Sequence, residues 1–175
     1  MNQSKPLQSI AKEFHAFMDG FESVILATQN KKMEPEPSYA PVLRQGRHFY
    51  VFVSELSAHT FNLMESEPAG MLFIEPEGEA NHLFARKRAT LKASSRHVPR
   101  TDDDWEKILD RMETKFGDII TMLRKLEDFH LFELTPRSAG YVRGFAQAYR
   151  IEGEHLDEVT HLREGGHGQS RMKAS

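Results

Sequence analysis

Five consecutive residues, Phe49-Tyr-Val-Phe-Val53, are all apolar, and no other stretch constrains the fold so tightly. A strand with one wet face alternates apolar and polar side chains, because successive side chains point to opposite sides of the sheet. A run with no polar position needs cover on both faces. The chain is therefore expected to build a sheet with packed material on either side of this strand.

The flanking segments supply that material. Leu7, Ile10, Ala11, Phe14, Phe17 and Met18 recur at helical spacing behind Pro6, which tolerates a helix start, and Asp19-Gly20 ends the helix. Runs rich in β-branched and aromatic residues follow at Ser23–Thr28, Ser38–Leu43 and Phe49–Val53, divided by Asn30, Pro35, Pro37 and Gln45-Gly46. Ser57–Glu65 reads as a short helix, Gly70–Glu75 as a strand and Arg88–His97 as a long strand. Thr101 is expected to cap a helix with Asp102, Asp103 and Asp104 in its first turn, where carboxylates complement the macrodipole. Trp105, Ile108, Leu109, Met112, Phe116, Ile119, Ile120 and Leu123 form one stripe along it, a core-packing pattern, and Gly117 is placed to divide it. Phe129–Leu134, Tyr141–Phe145 and Ala148–Ile151 are the closing strands, with Pro136 and Gly140 marking a turn. Six to eight strands joined by short loops predict an α+β, mainly β protein with a mostly antiparallel closed sheet. The domain is expected to span residues 1–155. Residues 156–175, which hold His161 and His167 among glycines without apolar periodicity, are expected to form a tail.

Composition removes whole classes of function. The absence of cysteine excludes disulfides, zinc–cysteine sites, iron–sulfur clusters, thiolate-bound haem and cysteine nucleophiles. A net charge of −3 gives no general attraction to nucleic acid or anionic lipid, so neither is expected as a partner. Met1-Asn-Gln-Ser-Lys-Pro-Leu lacks a basic-then-apolar signal pattern, and no apolar run approaches the roughly 20 residues of a membrane span. A cytoplasmic protein is expected.

The candidate chemistry is basic and imidazole-rich. Arg86-Lys-Arg88, extended by Lys92 and Arg96, is the clearest electropositive patch. On a strand Arg86, Arg88 and Lys92 share one face and Lys87 takes the other. Such a face is either solvated or a grip for carboxylates or phosphate. His59 and His82 lack partners at the spacing of a helical metal site, so each alone reads as structural more readily than as a ligand. Asp128 either ends the preceding helix at the surface or accepts the second N–H of an imidazole, fixing its tautomer.

Asn81-His-Leu-Phe-Ala-Arg-Lys-Arg88, Phe116-Gly-Asp-Ile-Ile120, Gly144-Phe-Ala-Gln-Ala-Tyr149 and the late His-Leu…Gly-Gly-His tail resemble the HugZ/HutZ-type haem-utilisation proteins. These belong to the pyridoxamine-phosphate-oxidase-like, FMN-binding-like split-barrel group. The resemblance runs from about Phe21 to the tail. It implies an antiparallel split β-barrel with flanking helices, a homodimer that binds haem b near the subunit interface, and oxidative haem degradation to a biliverdin-type product with dioxygen and an external electron donor. By position it places the axial iron ligand at His167, with His161 as fallback; with cysteine absent a histidine ligand is the natural choice, and Met172 is the other donor in the tail. It places the basic haem contact at Arg88, with Arg86 or Lys92 beside it, and the acidic partner of the axial histidine at Asp128. His59 matches a histidine of the group whose role stays open. Flavin mononucleotide, bound by many split barrels, is the alternative cofactor. Here Glu55 and Ala58 stand in Ser54–His59 where a phosphate site would want a base. A non-catalytic haem carrier is the alternative function.

Overall fold

The computed structural model describes residues 6–65 and 68–162; His167 and Met172 lie outside them. In chain order the elements are α1 (Leu7–Asp19), β1 (Ser23–Gln29), β2 (Pro35–Pro41), β3 (Leu43–Gln45), β4 (His48–Ser54), α2 (Ala58–Glu65), β5 (Pro68–Ile74), β6 (Arg88–Val98), α3 (Trp105–Phe116), α4 (Ile119–Leu123), β7 (Phe129–Gly144), β8 (Gln147–Glu152) and β9 (Glu158–His161). All strand pairs are antiparallel, in the order β2-β1-β5-β6-β7-β4-β3, with β8 beside β7 and β9 beside β8. This is a split β-barrel with flanking helices, the architecture expected from the sequence. No helix among the described residues is long and apolar enough to cross a membrane.

Strand β4 has the two covered faces that its sequence requires. Phe49, Val51 and Val53 enter the main core with Leu26, Met71, Phe73, Leu91, Phe132 and Leu134, which α1 completes through Ile10, Phe14 and Met18. Tyr50 and Phe52 enter a second core under α3, with Trp105, Ile108, Leu109 and Met112. The stripe on α3 is thus core packing. Gly117 ends the helix at φ +84°, ψ −166°, a region open to glycine alone, and beyond it Ile119 turns to solvent while Ile120 is buried.

Four expectations need correction. Pro136 and Gly140 do not mark a turn, because β7 runs unbroken for 16 residues. Ala93 lies opposite Pro136 and Lys92 opposite Ser138, so Arg137 is an extra residue, a bulge that accommodates the missing proline N–H inside a central strand. Nine strands form among the described residues, not six to eight: Ser38–Leu43 divides between β2 and β3, β9 adds a strand, and Phe129–Leu134 merges with Tyr141–Phe145 in β7. Thr101 does not cap α3. The helix starts after Asp104, and Asp102 instead accepts the Asp104 backbone N–H at 2.9 Å and pairs with Arg96 at 3.1 Å. Arg86 does not share a strand face with Arg88 and Lys92, since it precedes β6.

Candidate functional site

Strand β6 faces inward at Ala89, Leu91 and Ala93 and outward at Arg88, Thr90 and Lys92. Register then fixes a row across the outer surface, from Ile74 on β5 through Arg88 and Val142 to Ala148 on β8. His161, the last residue of β9, lies opposite Tyr149 of β8, so the end of β9 is next to this row. At about 4.8 Å per strand, Arg88 and the end of β9 are roughly 14 Å apart.

At this end two segments that are sixty residues apart in sequence come together. The loop before β6 forms two 3-10 turns, Glu77–Glu79 and Leu83–Ala85, and the β7–β8 hairpin turns through Phe145 and Ala146. The His82 ring packs edge-on against Phe145, with centroids 4.7 Å apart, and lies 5.8 Å from Phe84. Leu83, Phe84 and Phe145 are 64%, 87% and 60% exposed, so three large apolar side chains face water side by side. Ala146 is held at φ +56°, and its carbonyl meets His161 Nε2 at 3.2 Å.

The three basic residues of the loop have different roles. Arg86 bonds the Glu75 carbonyl and Glu77, which closes the β5–β6 connection. Lys87 points the other way, as expected, to Glu13 at 3.3 Å and over the Phe17 ring. Arg88 uses Nη1 on the Arg86 carbonyl at 2.9 Å, and its guanidinium makes no ion pair among the described residues. Of the three, Arg88 keeps donors for a ligand.

Asp128 is elsewhere. It precedes β7 by one residue, beside the end of β4, where Ser54 Oγ donates to its Oδ2 at 2.9 Å and Leu56 N–H donates to Ser54 Oγ at 3.1 Å. Arg88 pairs with Val142 and Val98 with Leu131, so more than ten residues of coiled ladder, roughly 40 Å of path, lie between Arg88 and Asp128. His130 contacts Glu55 Oε1 at 2.7 Å and the His97 ring at 5.4 Å nearby. No cluster of three metal-ligating side chains occurs among the described residues. His59 is buried on α2 with Nδ1 at 2.8 Å from Ser38 Oγ, and burial pushes its pKa below the usual histidine value. The same helix is fastened by Thr60 Oγ1 to the Ser54 carbonyl. The structure thus divides the residues singled out from the sequence into two groups: Arg86, Arg88 and His161 at one end, Asp128 and the α2 helix carrying His59 around Ser54. Lys92 stands between them on the outer face. The exposed Leu83, Phe84 and Phe145 enter the sequence only as members of the family-like motifs. Their signal was an apolar pair in an otherwise polar loop with no periodicity to serve.

A family model described as pyridoxamine 5'-phosphate oxidase matches residues 10–143. The chain belongs to this split-barrel family and, within it, to the HugZ/HutZ group. It is 37% identical over 153 residues to heme oxygenase HutZ of Vibrio cholerae, covering 87% of each chain. The crystal structure of Vibrio cholerae HutZ, described there as a heme storage protein, superposes with a TM-score of 0.72 at 33% identity, over 76% of this chain and 94% of that one. Campylobacter jejuni ChuZ superposes with a TM-score of 0.84 at 31% identity, over 97% of this chain and 68% of that one.

Proposed function

We propose that this protein binds haem b and, with dioxygen and electrons from an external donor, degrades it oxidatively to a biliverdin-type product, freeing iron in the cytoplasm. The observation that carries this reading is the exposed Leu83–Phe84–Phe145 surface with Arg88 beside it: a flat apolar ligand with carboxylates at its edge matches both features. Vibrio cholerae HutZ, named heme oxygenase in one description and heme storage protein in another, supports haem as the ligand, and the first name supports its degradation.

His167 is the proposed iron ligand. Five residues follow Leu162 to reach it, a span of at most about 17 Å, enough to return to the Arg88 row. His161 is the weaker candidate, because its Nε2 is occupied by the Ala146 carbonyl. An axial imidazole leaves the opposite side of the ring open to dioxygen. Asp128 accepts the second N–H of that imidazole and tunes how strongly it donates to iron. Asp128 and Arg88 are too far apart to serve one haem within a chain, so the site is composite and the working unit is a homodimer. An outward row of Tyr39, Ile25, Leu72, Thr90 and Gly140 offers a face for the second copy; Tyr39 and Ile25 are 68% and 43% exposed. Lys92 lies beside that row and reaches the ligand from the outer face.

A haem carrier is the second reading, favoured by the storage description of the Vibrio structure. Haem titration followed by ascorbate under air separates the two. A saturable Soret band that collapses, with new long-wavelength absorption and chelatable iron, establishes degradation. A stable Soret band establishes the carrier. A protein that is yellow as purified and takes up no haem returns the site to flavin.

A further inference from the structure

We propose that His82 is a fixed hydrogen-bond donor to a porphyrin carboxylate, set in an aromatic platform of Phe84 and Phe145. The inference rests on the haem reading of this face and names what one side of the macrocycle and one edge carboxylate would meet.

The tautomer of the neutral ring is set locally. His82 has an extended backbone, φ −158° and ψ 124°, and its Nδ1 accepts the Phe84 backbone N–H at 3.3 Å. A neutral imidazole that accepts at Nδ1 carries its proton at Nε2. In that tautomer Nε2 has no lone pair for iron and is a donor. Phe145, edge-on at 4.7 Å and 73°, and Phe84, at 5.8 Å and 43°, hold the ring in place. Phe84 is 87% exposed, far beyond what packing within this chain requires, so a flat apolar ligand would remove a large wet surface there. Arg88 supplies the charge, with donors left over after its bond to the Arg86 carbonyl. A neutral donor and a cation on one rim suit an anionic oxygen pair better than they suit a metal.

Because carboxylate recognition does not involve iron, the test compares haem with metal-free protoporphyrin IX. Wild-type protein should bind both. His82→Phe, which keeps the apolar platform, should weaken both by a similar factor, about three- to tenfold, and leave the imidazole-bound haem spectrum unchanged. His82→Gln should recover most of the loss, and Phe145→Ala should weaken both again. Both positions are exposed, so unchanged circular dichroism is expected. Equal affinity of His82→Phe and wild type for both porphyrins overturns the proposal. So does a lost imidazole signature with unchanged protoporphyrin binding, which would make His82 a ligand. A wild-type protein that binds neither porphyrin sinks the haem reading itself, and this inference with it.

Discussion

Tyr141 donates its hydroxyl hydrogen to Glu13 Oε1 at 3.0 Å, joining β7 to α1 across 128 residues of chain. The same oxygen receives Arg143 Nε at 3.0 Å and lies 3.3 Å from Lys87 Nζ. Tyr141 is fully buried, and burial followed by the Glu13 charge pushes its pKa well above the ordinary phenol value. One carboxylate therefore fastens the first helix, the long strand and the residue next to Arg88.

Glu13→Gln should be the costly change in this cluster. It leaves Lys87 and Arg143 without their counter-charge, and a loss of about 2 kcal/mol is expected in urea unfolding. Tyr141→Phe removes one bond and should cost about 1–2 kcal/mol. Only Glu13→Gln should also weaken porphyrin binding, since it frees the segment that places Arg88. Equal effects of both variants on binding would disconnect the cluster from the site.

Most of the barrel was legible because its signals are local. The doubly apolar β4, the stop at Asp19-Gly20 and the break at Gly117 each follow from periodicity or backbone freedom within a few residues. Pro136 misled for the opposite reason: proline usually ends a strand, and the bulge that absorbs it exists only when β6 lies alongside. Thr101 misled because three successive aspartates each compete to start the helix, and pairing of Asp102 with Arg96 decides among them. Arg88 and Asp128 both stand out in the sequence, and the roles proposed for them are what the resemblance implies. Their separation was not legible, since register along a coiled ladder is a tertiary property.

Backbone strain should separate two small residues. Gly117→Ala meets no atom within 4 Å, yet its φ of +84° and ψ of −166° disfavour any side chain, so about 1–3 kcal/mol of stability should be lost. Ala146→Gly should do the reverse, relieving about 1 kcal/mol at φ +56°. It should also loosen the hairpin that presents Phe145, giving a more stable protein with weaker porphyrin binding. Thermal melts paired with porphyrin titrations would show whether the two effects part.

Acid should weaken the fold before its carboxylates titrate. Burial pushes His15 and His59 below the unfolded histidine value of 6.5, and Arg44 adds to the effect at His15. The unfolded chain then binds more protons than the folded one, so stability is complete above about pH 7 and declines as pH falls through 6.5 toward the lower folded values. Glu133 does not contribute in that window. Burial would raise it, but bonds from Arg96 and Tyr50 bring it below 4.5, so its stabilisation is lost only at lower pH. Urea midpoints measured from pH 8 to 5.5 should fall, and His59→Gln should flatten the curve. A flat wild-type curve would contradict the burial of both rings.

The distance between Arg88 and Asp128 makes the composite site directly testable. Arg88→Ala and Asp128→Ala homodimers should each lose haem degradation, one through the ligand contact and the other through the axial imidazole. In a heterodimer purified with two tags, one site inherits both defects and the other inherits neither. About half of the wild-type rate per dimer should therefore return, on the two-fold logic of an isologous pair. If each chain instead completed its own site, every site in the heterodimer would carry one lesion and no activity would return. Restored activity would place the haem between subunits; a silent heterodimer would put Arg88 and Asp128 in the site of one chain and overturn the composite site.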